Sequence, residues 1–137
     1  MSQDSELTLR RGLYAIAALS CVGAGIELVL IGHVDSPPQW IPFVLCVLGL
    51  GASGVGLLAP GRFRRAVIGV AVALALGSAF GVWEHLEHNF GFAKEIQPTA
   101  PMSTWLVEAI TGANPALSPG VFLIAALSLW LATWREK

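Results

Sequence analysis

From Ala66 to Trp83 the chain runs eighteen residues without a charge. It then sets two carboxylates, two imidazoles and a carboxamide within six positions, Glu84-His85-Leu86-Glu87-His88-Asn89. An uncharged apolar run of that length reads as a membrane span, because about 20 apolar residues cross the hydrocarbon core of a bilayer. Lipid offers no partner to backbone N–H and C=O groups, so a spanning segment must satisfy them internally, as a helix. Three further runs share the pattern: 12–32, interrupted only by Glu27; 40–58; and 117–134. Charged residues make up 12% of the chain, against about 25% in a soluble domain. The predicted fold class is therefore all-α: a four-helix transmembrane bundle forming one integral membrane domain over residues 1–137.

The connections are unequal. His33–Gln39 is a short turn with Asp35 and Pro37-Pro38, which makes the first two spans antiparallel neighbours. Ala59–Arg65 is a short basic turn. Residues 84–116 form the one long connection. Within it, Met102, Trp105, Leu106, Ala109 and Ile110 fall on one helical stripe, closed by Gly112. That spacing predicts a short amphipathic helix over 102–111, lying along the membrane surface or capping the bundle.

Small residues mark where helices can meet. In lipid, association is driven by van der Waals contact between close backbones. Gly69, Ala73, Gly77 and Gly81 recur every four residues along the third span and form a packing seam; Gly49/Ser53 and Ala52/Gly56 offer the same in the second. One more step of four from Gly81 reaches His85, which a continuing helix would place on the packed side. Cys21 and Cys46 belong to no CxxC pair or metal-type spacing and are read as buried small hydrophobes, not a disulfide.

Charge fixes an expected orientation. With four spans, the N-terminus, the 59–65 turn and the C-terminus share one side. That side carries Arg10, Arg11, Arg62, Arg64, Arg65, Arg135 and Lys137, leaving Lys94 alone on the other. The positive-inside rule places both termini in the cytoplasm of a multi-pass protein and His33, His85 and His88 on the outer face. The net charge of −1 provides no field suited to nucleic acid, so the expected partners are the bilayer, further copies of the chain or a larger membrane complex. No phosphate-cradling glycine loop, G-x-S-x-G elbow or nucleophile–base pair is present, so no enzymatic activity is expected.

The candidate site is the Glu/His set at the outer end of the third span. His85 and His88 are spaced i, i+3 and Glu84 and His88 i, i+4, so the three are helical neighbours. Two imidazoles with a carboxylate suit zinc, copper, iron or nickel in kind. Glu27, on the order of 6–9 Å below the outer surface at 1.5 Å per residue, is a further candidate ligand, as is His33 if the chain turns near Gly32. The bland reading of the same residues is a polar turn solvated by water and headgroups. Haem is disfavoured, since both axial ligands would sit at the membrane edge. Glu27 has a second reading, as the titrating group of a proton-coupled transporter or channel component, and a third, as a hydrogen-bond lock between helices. The small residues near it (Ser20, Gly23, Ala24) let its face meet the third-span seam.

Four spans with one intramembrane glutamate resemble the small multidrug resistance transporters in count alone; the long outer connection and the charge bias depart from that pattern. A wider resemblance is to a group of small uncharacterised bacterial four-helix integral membrane proteins. It is carried by Ile26-Glu27-Leu28 with Gly32-His33, by Gln39-Trp40-Ile41-Pro42-Phe43-Val44-Leu45, by Gly81, His85, Asn89 and Phe92, and by Ala116-Leu117-Ser118-Pro119-Gly120. Members of that group typically carry acidic residues where this chain has Gly91 and Ala93. The resemblance implies fold, topology and a bacterial inner membrane, and no activity. It marks Glu27, His33, His85 and Asn89 as positions to test. The sequence thus leads to a non-enzymatic binding or accessory protein with an outward-facing Glu/His site for a transition metal. The proton-coupled component and a structural assembly subunit are the alternatives.

Overall fold

The structure, a computed structural model, describes residues 3–134. Arg135 and Lys137 of the charge bias lie outside the described residues. Among those described there are five α-helices and no strand: α1 (Gln3–Leu30), α2 (Ile41–Leu58), α3 (Arg64–Ile96), α4 (Met102–Thr111) and α5 (Gly120–Trp134). A 3-10 turn, Pro37–Trp40, leads into α2. Three of the helices, α1, α3 and α2 with its leading turn, are long and apolar enough to cross a membrane. Helix α5 is as apolar but has only 15 residues, about 22 Å of helix.

Two boundaries differ from the sequence reading by more than three residues. Helix α1 already includes the polar stretch from Gln3 to Arg11. Helix α3 does not stop at Trp83 but runs to Ile96, 33 residues in all. The reason is the absence of a breaker: Glu84 to His88 are polar but compatible with a helix, and the first proline after Pro60 is Pro98. The end of α1 behaves as expected. Gly32 takes φ +64°, a left-handed conformation open to glycine, and the amides of Gly32 and His33 bond back to Val29 and Leu28.

The chain divides into two compact units, Met1–Gly77 with Val121–Lys137, and Ser78–Gly120. The first contains the apolar core. Tyr14, Ala17, Cys21 and Ala24 of α1 are buried at helical spacing. They form one cluster with Leu45, Cys46 and Ala52 of α2, Val67, Ala71 and Leu74 of α3, and Phe122, Ala125, Ala126, Leu129 and Ala132 of α5. Large apolar side chains such as Leu19, Val47, Leu58 and Leu76 lie outside it. That inversion suits lipid, where an outward leucine costs nothing and small residues let backbones touch.

Helices α1 and α2 show how the contact is made. Tyr14 stands on Gly56 and Cys21 on Gly49, and Gly25 faces Cys46, an antiparallel pairing. A methyl group added at Gly56 would fall inside the fully buried Tyr14 ring. Gly49, Ala52, Ser53 and Gly56 are all buried, and the Ser53 hydroxyl satisfies itself by donating to the Gly49 carbonyl at 2.8 Å. Both cysteines are free.

Gly56→Ala is expected to destabilise the protein by about 1–3 kcal/mol, the typical cost of overpacking. Gly51→Ala, where the added carbon meets nothing within 4 Å, is expected to stay within about 0.5 kcal/mol of the parent. Unfolding of the two variants in the same detergent measures both.

Candidate functional site

The second unit is a helical hairpin built on one face of α3. At every fourth residue, α3 meets the chain that returns along it. Gly81 lies against Pro119, where an added Cβ would come within 2.8 Å of the proline ring. His85 Nδ1 donates to the Pro115 carbonyl at 2.8 Å. Asn89 is buried and bonded to both Ala109 and Asn114. Ala93 is buried, and just past the helix the Gln97 carbonyl accepts from Trp105 Nε1 at 3.0 Å. Positions on α3 rise as those on the return strand of chain fall, so α4 runs antiparallel to the end of α3.

Asn89 is the centre of this arrangement, only 3% exposed. Its Nδ2 donates to the carbonyls of Ala109 (3.1 Å) and Asn114 (2.8 Å), and its Oδ1 accepts from the Asn114 amide (3.0 Å). Ala109 is in the last turn of α4, where carbonyls lack an intrahelical donor. One carboxamide thus caps α4 and holds the following loop at both backbone groups of a single residue. Gly112 is required beside it: a Cβ there would come within 2.8 Å of Asn89 Cγ and 2.6 Å of the Glu108 carbonyl.

His85 is half-buried. The Pro115 carbonyl can only accept, so Nδ1 carries the proton, and in the neutral ring Nε2 keeps a free lone pair. His88 is exposed and Glu84 half-buried. Among the described residues, no three His, Cys, Asp or Glu side chains are grouped so as to hold a metal ion. His33 lies in the turn after α1, half-buried, in the first unit. Glu27 belongs to that unit as well and is exposed. The inward face of α1 continues from Ala24 to the half-buried Leu28 and passes Glu27 by. The seam itself is uneven. Gly77 is crowded by Leu45 and Gly81 by Pro119, Ala73 packs at the edge of the core, and Gly69 has open space.

Helix α4 has the bounds its periodicity predicts, but its apolar stripe is divided. Ala109 is buried, and Trp105 packs edge-on against Phe90 with ring centroids 6.2 Å apart. Met102, Leu106 and Ile110 turn outward, 56%, 55% and 65% exposed. Lys94, the one basic residue of this unit, sits 5.6 Å from both aromatic centroids, a cation–π distance. Four carboxylates, Glu84, Glu87, Glu95 and Glu108, share the unit with it. A cleft of about 110 Å³ lies between α3 and α4, lined by Phe92, Ile96 and Glu108 among others. Drug-sized pockets begin near 300 Å³, so this cleft is too small for such a ligand.

No family model, curated protein or solved structure matches this chain. The dominant residue, Asn89, carries no reactive group; in the sequence it is marked by its place on the four-residue step that links Gly81 and His85 and by the resemblance that sets it beside His85.

Asn89→Ala is expected to weaken the hairpin by about 2–4 kcal/mol, since removing one partner leaves buried backbone groups unsatisfied. Asn89→Asp is expected to be at least as damaging, because a carboxylate keeps the acceptor for Asn114 but faces two carbonyls where the amide donated. Amide hydrogen exchange across residues 100–116 reads both, with the amides of α2 as the unchanged reference.

Proposed function

We propose that this chain is a non-enzymatic accessory protein, a four-helix transmembrane bundle with cytoplasmic termini and an outward hairpin that docks a partner protein. The observation that carries this is the outward stripe of Met102, Leu106 and Ile110 on a helix whose other face is pinned through Trp105, Ala109 and Asn89. A hairpin fixed by a buried carboxamide presents that stripe with little ordering left to lose on binding. The four carboxylates of the unit, against its one lysine, disfavour a second copy of the same acidic unit and favour a helix with apolar anchors and basic flanks. α5 completes the bundle if the residues before Gly120 lengthen it toward the bilayer surface.

A photo-crosslinking side chain at Leu106 or Ile110, in the intact cell membrane, is expected to join the chain to one heterologous protein. The same probe at Ser103 is expected to yield little of that adduct. Homodimer adducts at Leu106, or equal yields from all three positions, would sink the docking reading.

A second reading, transition-metal binding, is favoured by His85. A ring nitrogen held by a carbonyl, with the other left free, is how metal-ligating histidines are oriented. His88 and Glu84 lie on the adjoining positions, and further ligands would come from water or the partner. Elemental analysis of chelator-free protein is expected to show metal lost in the His85→Ala/His88→Ala variant; absence of metal from the parent after attempted reloading would end this reading.

A further inference from the structure

We propose that the turn before α3 is a binding site for a phosphate group, supplied by an anionic lipid headgroup or by free phosphate. Arg62, Arg64 and Arg65, with Gly61, Phe63 and Ala66, line one open cavity of about 450 Å³. Three guanidiniums within four residues bring strong positive charge to the end of a membrane-spanning helix. Among the described residues no carboxylate pairs with any of them.

Two of the three are held by contacts that leave donors free. Arg64 Nε donates to the Thr133 carbonyl at 3.1 Å. That carbonyl is in the last turn of α5, where acceptors lack an intrahelical donor and a cation is favoured. The bond uses one of five guanidinium N–H groups, so the terminal nitrogens of a tethered Arg64 remain for a ligand. Arg62 lies over the Phe63 ring, 5.2 Å from its centroid, a stacking that spares its in-plane donors. The turn folds back at Gly61, where φ is +76° and the Arg64 amide bonds to the Gly61 carbonyl. Planar guanidiniums match phosphate oxygens by paired hydrogen bonds. Phe63, 45% exposed at the rim, offers an apolar surface beside them, which suits the glycerol and acyl part of a lipid. Basic clusters flanking spans attract anionic headgroups; here the cavity and the tether to α5 give that attraction a defined address.

The test uses the full chain purified in neutral detergent and native mass spectrometry. Phosphatidylglycerol and phosphatidylcholine of identical acyl chains are the lipid probes. Phosphatidylglycerol is expected to be retained at least about fivefold over phosphatidylcholine, with retention falling as salt rises. Arg62→Gln/Arg65→Gln, which leaves the Arg64–Thr133 bond in place, is expected to abolish the preference. Arg10→Gln/Arg11→Gln, an equal loss of charge elsewhere on the chain, is expected to preserve it. In a parallel arm, displacement of the lipid by millimolar inorganic phosphate assigns the site to free phosphate, and survival of the lipid assigns it to the headgroup. Equal retention of the two lipids by the parent, together with no phosphate adduct, overturns the proposal. So does an equal loss of preference in both double variants, which would reduce it to bulk charge.

Discussion

Close backbone approach at small residues is the constraint on which the first unit depends. Lipid removes the usual reason to bury a leucine, so the core is assembled largely from alanine and cysteine, beside buried serine and glycine, with Tyr14, Leu45, Val67, Leu74, Phe122 and Leu129 as its larger members. Tyr14 on Gly56 and Cys21 on Gly49 show the rule at work: a side chain on one helix fills a space the other leaves by having none. Packing of this kind tolerates little change in volume. It sets which face of each helix is inward more firmly than hydrophobicity does, because hydrophobicity is nearly uniform around the span.

That is why so much of the architecture could be read from the chain and why one face could not. The bounds of α2, α4 and α5 follow from proline, glycine and charge, signals that are local. The inward face of α1 is not a local matter. Ser20, Gly23 and Ala24 are all small, and each is compatible with a close contact, so the residues around Glu27 gave no means of telling which side would be covered. The decision rests with α2, whose Gly49 and Gly56 receive Cys21 and Tyr14 and rotate Glu27 to the exposed side. A carboxylate there is one turn from the helix end at Leu30, close enough for a flexible side chain to reach the interfacial layer.

The hairpin illustrates the opposite case, a site with a readable seam and an unreadable extent. The step from Gly77 to Gly81 to His85 was visible as a repeat of small residues meeting a histidine. Its continuation through Asn89, Ala93 and Gln97 was hidden because the polar cluster at 84–89 resembles the end of a span. A membrane helix and a water-exposed helix differ in composition but share one backbone geometry. A change from apolar to polar residues therefore marks a change of solvent, while only a proline or glycine of the right kind marks the end of the helix. Pro98 was that mark.

The same distinction bears on how the Glu/His cluster is to be understood. Ligand-type side chains gathered at a membrane edge suggest coordination chemistry, but in this hairpin the carboxamide does the structural work and an imidazole assists it. Asn89 uses both its donors and its acceptor on backbone groups, and His85 spends one nitrogen on the Pro115 carbonyl. Polar groups buried with every partner supplied specify one arrangement of the chain more sharply than apolar contact can. The consequence is a pinned hairpin whose remaining freedom lies at its surface: one imidazole nitrogen, the exposed His88, and the exposed apolar stripe of α4. On the docking role proposed above, the buried polar ladder is what would hold that surface in one arrangement.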